Sequence, residues 1–159
     1  MNRRINYNEQ LPALSKKLVD LGLATKEGPL SATLLDLVNI RASQLNGCAF
    51  CVDMHSKEAK IHGDRELRLY HLPVWREAPL FSDKEKACLE WTEAVTQLNG
   101  HVIADEIYEK VRKHLSEKEM SDLTFAIGVI NVFNRLNISF PTAPGSMDQY
   151  LGLTKAGLK

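Results

Sequence analysis

Two cysteines and a histidine stand at helical spacing in the segment Asn46-Gly47-Cys48-Ala49-Phe50-Cys51-Val52-Asp53-Met54-His55. Side chains three positions apart on a helix lie about 60° from eclipsed, so the sulfurs of Cys48 and Cys51 can approach closely enough to bond. His55 follows Cys51 by four residues, about one turn along the same face, where it can share a proton with the thiol. The pattern predicts a redox or metal-binding site.

Redox chemistry at this site depends on where the helix begins. If it opens after Gly47, unpaired backbone N–H groups and the positive end of the helix dipole stabilise a thiolate on either cysteine. A thiolate attacks a peroxide or a disulfide, and the second cysteine then resolves the product as an intramolecular disulfide. Cys48 lies nearer the helix start and Cys51 lies nearer His55, so position alone leaves open which sulfur attacks first.

A structural zinc site is the main alternative for these residues. Cys48, Cys51 and His55 supply three ligands and His62 is a further candidate, but structural zinc usually takes four ligands, often as two separated pairs. The chain has three cysteines, and the third, Cys88, is far from the pair and lies in an amphipathic segment typical of a core. The sequence therefore favours a redox pair and predicts no metal and no organic cofactor.

An acid upstream of the cysteines can complete a proton relay with His55. Asp36 precedes Cys48 by twelve positions, which on one unbroken helix is about 18 Å along the axis and too far for proton exchange. The relay therefore requires the chain to reverse at Asn46-Gly47.

Apolar residues recur at helical spacing along almost the whole chain, and we expect an all-helical fold. The first helix should end at Gly22 or at the turn over residues 26–29. Serines at helix starts and Ser-x-x-Glu capping boxes mark further helices. The expected helices cover residues 10–23, Ser31 to Asn46, the cysteines to about His62, 65–71, Ser82 to Asn99, 104–114 and Ser116 to about Leu136. The stretch from Pro141 onward is expected to be irregular.

The chain has 159 residues, which favours a single domain over residues 1–159. Twenty basic and twenty acidic residues give zero formal net charge, so no field of one sign is expected to attract nucleic acid or an anionic membrane surface. No apolar stretch approaches the roughly 20 residues of a membrane span, and the N-terminal residues lack the apolar region of a secretory signal. A cytoplasmic location is the expectation.

The run Ser43-Gln44-Leu45-Asn46-Gly47-Cys48-Ala49-Phe50-Cys51-Val52-Asp53-Met54-His55-Ser56-Lys57-Glu58-Ala59 resembles the signature of alkylhydroperoxidase D-like (AhpD-like) proteins in the carboxymuconolactone decarboxylase superfamily. Residues 81–87, 91–96 and 131–136 are also similar to short members of that family. The resemblance covers residues from about 30 to 140.

This resemblance implies an all-α domain of about six to eight helices that assembles as a trimer or hexamer. It also implies thiol-dependent peroxidase activity, with a hydroperoxide as substrate and a dithiol or protein as reductant. Cys51 would take the peroxidatic role and Cys48 the resolving role, while His55 and an upstream acid would pass protons. The family places a Glu where this chain has Asp36, and AhpD itself places a His where this chain has Phe50.

Two other functions remain as alternatives. The chain can be a redox-sensing oligomer that forms the disulfide without sustained turnover. It can also carry the lactone decarboxylase chemistry of the superfamily, but a decarboxylation that relies on acid–base residues has no use for a resolving thiol. The leading prediction is therefore a cysteine-based peroxidase or thiol-disulfide oxidoreductase.

Overall fold

The structure is a computed structural model that describes residues 4–100 and 102–158. Within these residues the chain forms nine α-helices and two short 3₁₀ helices, with no β-strand, so the all-helical prediction is confirmed. The α-helices are α1 Tyr7–Gln10, α2 Pro12–Lys26, α3 Ala32–Asn46, α4 Ala49–Ile61, α5 Glu66–His71, α6 Asp83–Thr96, α7 Asp105–Arg112, α8 Glu117–Ser139 and α9 Asp148–Leu151. The 3₁₀ helices are Leu72–Val74 and Leu153–Ala156. Residues 1–3 belong to the N-terminal stretch that was expected to lack a secretory signal, and they lie outside the described part.

The count exceeds the expected six to eight helices because α1 and α9 are single turns of four residues. The stretch after Pro141 was expected to be irregular, and it contains α9 and the second 3₁₀ helix. Such short elements carry too few apolar positions for a helical period to be recognised in the sequence.

Serine side chains begin three of the helices that surround the site. Ser31 accepts a hydrogen bond from the backbone N–H of Leu34 at the start of α3. Ser82 and Ser116 form complete capping boxes with Glu85 and Glu119 at the starts of α6 and α8. These predicted starts are confirmed, and each cap contributes about 1 kcal/mol to helix stability.

Helix α2 continues through Gly22 and ends at Lys26, which is the second of the two ends that the sequence allowed. At Gly22 the helix lies against α8, where an added Cβ would come within 3.5 Å of the Phe133 ring and 3.6 Å of Val129 Cγ1. The glycine therefore marks a contact between helices and not a helix end.

Helix α3 lies at the centre of the fold and is buried on nearly every side. Leu34, Leu35 and Val38 join a core cluster with residues of α6 and α8. Leu37 and Ile40 join a second cluster with the segment over residues 69–81, and Ala42 joins a third around the cysteines. Removing each large apolar side chain from water stabilises the fold by about 1.5–3 kcal/mol. This packing holds α3 in place, and with it Asp36 and the turn that precedes Cys48.

The chain reverses between α3 and α4, as the relay hypothesis requires. Gly47 has a φ of 72°, in the left-handed region that glycine adopts without strain, and its N–H bonds back to the carbonyl of Gln44. Because the start of α3 then lies beside the end of α4, Asp36 contacts His62. None of the helices in the described part is long and apolar enough to cross a membrane.

Candidate active site

Cys48 and Cys51 form a disulfide at the start of α4. Cys48 is the N-cap residue, and its Sγ accepts a hydrogen bond from the backbone N–H of Cys51 at 3.3 Å. Both cysteines are only 2% exposed and pack with Ala42 and Ile130. The predicted position of the pair at a helix start is confirmed. That backbone N–H groups and the helix dipole favour a thiolate there after reduction stays a prediction.

His55 is buried one turn beyond Cys51 and pairs with a carboxylate on its own helix. Its Nδ1 lies 2.7 Å from Oε2 of Glu58, whose other oxygen accepts a hydrogen bond from Lys26 Nζ at 2.7 Å. Burial alone would raise the pKa of Glu58, but the hydrogen bonds and charges of His55 and Lys26 lower it to about 2. An ionised Glu58 accepts a hydrogen bond from Nδ1–H, which leaves Nε2 of His55 as the acid–base nitrogen.

Asp36 is 3% exposed and lies against the end of α4. Its Oδ2 is 2.6 Å from Nδ1 of His62, which caps the C-terminus of α4. Burial raises the pKa of Asp36 although the hydrogen bond and charge of His62 act in the opposite direction, and the charges of Glu58 and His55 also reach it. The site thus contains two His–carboxylate pairs within electrostatic range, and the role of Asp36 in a relay stays a prediction.

A network of side-chain amides, with Asn134 fully buried at its centre, fixes the turn that carries the cysteines. Nδ2 of Asn46 donates to Oδ1 of Asn131 at 3.0 Å and to Oδ1 of Asn134 at 2.8 Å, both on α8. Nδ2 of Asn134 in turn donates to Oγ of Ser43 on α3 at 3.0 Å. Because buried polar groups left without partners cost about 1–3 kcal/mol each, this network holds the α3–α4 turn against α8.

Three contributors to the site were not singled out from the sequence. Glu58 follows His55 by three positions, a helical spacing that could have revealed it. Lys26 is 32 positions from Glu58, and Asn137 Nδ2 lies 3.9 Å from Sγ of Cys51, 86 positions away. No local pattern signals contacts over such separations.

Cys88, the third cysteine, lies apart from this site. Cys88 is fully buried in α6 without a disulfide partner, and burial raises its pKa to about 11, which confirms the prediction of a core cysteine. Among the described residues, no three histidine, cysteine or acidic side chains converge in the manner of a metal site.

The all-helical fold and the Cys48–Cys51 pair are those of an AhpD-like protein. A model of the carboxymuconolactone decarboxylase family matches residues 12–94, and the chain belongs to that family. The resemblance seen in the sequence is confirmed.

Several known proteins are similar over most of the chain. The uncharacterized protein YdfG of Bacillus subtilis (strain 168) is 40% identical over 139 residues, which is 87% of this chain and 95% of YdfG. A crystal structure of a protein of unknown function from Agrobacterium tumefaciens, provisionally assigned as the antioxidant defence protein AhpD, has a TM-score of 0.87 at 37% identity and covers 90% of this chain and 98% of its own.

A more distant structure shares the fold. It is an uncharacterized peroxidase-related protein from Ralstonia eutropha JMP134 with an alkylhydroperoxidase AhpD core. Its TM-score is 0.77 at 18% identity, over 87% of this chain and 74% of that one.

Proposed function

We propose that this chain is a thiol-dependent peroxidase that reduces a hydroperoxide at Cys51 and stores the oxidising equivalents as the Cys48–Cys51 disulfide. The observation that carries the proposal is this disulfide at the N-terminus of α4, with a buried histidine one turn further on. The provisional assignment of the Agrobacterium tumefaciens protein to antioxidant defence gives further support.

The reaction balances over two steps. The Cys51 thiolate attacks the terminal oxygen of a hydroperoxide, the O–O bond breaks, and the leaving alkoxide takes a proton to become an alcohol. The Cys48 thiol then attacks the Cys51 sulfenic acid, which forms the disulfide and releases water. An external dithiol reduces the disulfide and becomes a disulfide itself.

His55 is proposed to move the proton in the first step. Its Nε2 accepts the Cys51 thiol proton and returns it to the leaving oxygen, while Glu58 holds Nδ1 and stabilises the protonated ring. Asp36 is proposed as a second acid that acts on His55 through its charge and its pairing with His62.

The burial of the cysteines bears on the substrate. A disulfide with 2% exposure on each residue favours a small hydroperoxide over a folded protein as oxidant, and a small dithiol or a flexible protein segment as reductant. We also propose a cytoplasmic location, where reducing systems return the disulfide to the dithiol.

Steady-state peroxide consumption with a dithiol reductant tests the proposal. We expect multiple turnovers in the wild type and a loss of at least about a hundredfold in kcat/KM for Cys51→Ser, since the attacking thiolate is absent. Cys48→Ser should form the Cys51 sulfenic acid with one equivalent of peroxide and then turn over more slowly than the wild type, because the external dithiol must itself reach the buried sulfenic acid. Cys88→Ala is the matched control and should keep its turnover, because Cys88 is buried away from the pair.

Two results would contradict the proposal. Undiminished turnover in both Cys48→Ser and Cys51→Ser would remove the pair from the chemistry. A wild type that forms the disulfide once but never turns over with any dithiol would instead be a redox sensor.

A further inference from the structure

A side-chain amide from α8 points at the sulfur of Cys51. Nδ2 of Asn137 lies 3.9 Å from Cys51 Sγ, and both residues are buried. This donor differs from the one at Cys48, whose sulfur receives the backbone N–H of Cys51. Each sulfur of the pair therefore has a separate N–H donor.

The orientation of the Asn137 amide is fixed by two further hydrogen bonds. Its Oδ1 accepts a hydrogen bond from Oγ1 of Thr142 at 2.8 Å, and its Nδ2 donates to the carbonyl of Phe133 at 2.9 Å. The Phe133 carbonyl can only accept a hydrogen bond, so the amide nitrogen must lie on its side, and the Thr142 hydroxyl then donates to the amide oxygen. Together these two bonds hold an N–H group, and not an oxygen, towards Cys51.

The segment that carries Thr142 is itself attached to α4. Lys57 is buried and its Nζ donates to Asp53 at 2.8 Å and to Asp148 at 2.7 Å. Asp53 also accepts the backbone N–H of Gly145 at 2.9 Å. These bonds hold the segment after α8 against the helix that bears Cys51, and the segment in turn supports Thr142.

We propose that Asn137 is a catalytic residue that donates a hydrogen bond to the Cys51 thiolate, with Thr142 as the residue that positions its amide. This inference rests on the proposed function and assigns the stabilisation of the attacking sulfur. In the reduced protein Cys51 Sγ gains negative charge, and a buried N–H aimed at it favours that charge over the neutral thiol.

Charged groups lie near the pair and are expected to influence the pKa of the Cys51 thiol, so the contribution of Asn137 must be measured against theirs. They are His55 and Glu58 on α4, Asp36 on α3 and Lys26 on α2. On α8 Asn137 does not titrate, so its removal leaves the charges of these groups in place.

The test is a thiol titration in the Cys48→Ser background, followed by the ultraviolet absorbance of the thiolate and by the rate of alkylation. Cys88, with a pKa of about 11, ionises late enough to be separated from Cys51. We expect Asn137→Ala to raise the pKa of the Cys51 thiol by about one unit, which is about a tenfold loss of thiolate at a fixed pH below that pKa. Asn137→Asp should raise it further, because a carboxylate replaces the donor.

Thr142 supplies a matched pair of variants that leave Asn137 intact. Thr142→Val keeps the shape but removes the hydroxyl, and it should raise the pKa of the Cys51 thiol in the same direction as Asn137→Ala. Thr142→Ser keeps the hydroxyl and should restore the wild-type value. If the threonine had a purely structural role, the pKa of the Cys51 thiol would be the same in Thr142→Val and in Thr142→Ser.

An unchanged thiol pKa in Thr142→Val, or in a folded Asn137→Ala protein, would overturn the inference. The titration needs no turnover, so its result is independent of the proposed function. Absent peroxide turnover with a shifted thiol pKa would refute the peroxidase alone, and normal turnover with an unshifted pKa would refute the role of Asn137 alone.

Discussion

Two histidines of the site are each hydrogen-bonded to a carboxylate, and the pKa values of the two carboxylates are displaced in opposite directions. His55 and Lys26 lower the pKa of Glu58, whereas burial raises that of Asp36 despite His62. Glu58 is therefore a fixed negative charge at neutral pH, suited to holding an imidazolium. Asp36 is the more easily protonated of the two, suited to exchanging a proton.

Glu58→Gln should lower the free energy of unfolding by about 1–3 kcal/mol near pH 7, because the charge-assisted partner of His55 and Lys26 is lost. The pKa of Glu58 is about 2 in the folded protein against an ordinary value of 4.5. A depressed pKa stabilises the fold fully above about pH 4.5, and this contribution is lost as the pH falls towards 2. Urea denaturation at several pH values should therefore show the difference in free energy of unfolding between wild type and variant becoming smaller as the pH falls from about 4.5 towards 2.

Asp36→Asn is the matched control for this prediction. Since burial raises the pKa of Asp36, its ionised form opposes folding near neutral pH, and the variant should unfold at a higher urea concentration than the wild type. A destabilised Asp36→Asn protein would contradict this sign. In the peroxidase assay, a loss of kcat/KM confined to Glu58→Gln would exclude Asp36 from the relay.

Residue types and spacing were sufficient to predict the Cys48–Cys51 pair and its place at a helix start. They also predicted the chain reversal that brings Asp36 to α4. They did not single out Glu58 as the partner of His55, although its helical spacing of three residues allowed that pairing; in the structure Glu58 pairs with His55 and Asp36 pairs with His62. The contact of Asn137 with Cys51 depends on how α8 lies against α4, which no local pattern encodes.

At the level of elements, the helix starts were predicted better than the ends. A serine cap is a local hydrogen bond that the sequence displays directly, as at Ser31 and Ser116. A glycine is ambiguous, since it can end a helix or admit a neighbouring helix. Gly47 ends α3 in the left-handed conformation, whereas Gly22 lies within α2 against α8.

This difference predicts opposite effects for two glycine substitutions. Gly22→Ala should stabilise the protein by about 0.5–1 kcal/mol, because alanine favours the helix and its Cβ meets Phe133 and Val129 at ordinary contact distances. Gly47→Ala should destabilise it by about 1 kcal/mol or more, because its φ of 72° strains any residue with a Cβ. Urea denaturation of both variants measures whether each substitution raises or lowers the free energy of unfolding. A destabilised Gly22→Ala protein would show that α2 and α8 are too close for a methyl group.

For the whole molecule, the sequence predicted a last long helix that is apolar around much of its circumference. In the structure α8 packs on α2, α3 and α6 and still exposes a continuous stripe. Its members recur at alternating spacings of four and three residues, the pattern of a helix that packs against another helix. They are Ser121, Phe125, Gly128, Val132, Arg135 and Ser139.

We expect this stripe to be the contact with further copies of the chain in the trimer or hexamer implied by the family resemblance. Phe125 is 63% exposed, and Gly128 beside it leaves room for a partner helix to approach.

Phe125→Glu would place a charge in that contact, where burying it without a partner costs several kcal/mol. Light scattering after size exclusion should show the variant shifted to smaller species while its helical content is unchanged. Val102→Glu, at a position 94% exposed outside α8, should keep the wild-type mass. A wild type that is monomeric at every concentration would contradict the assembly, and an assembled Phe125→Glu protein would place the contact elsewhere on the surface.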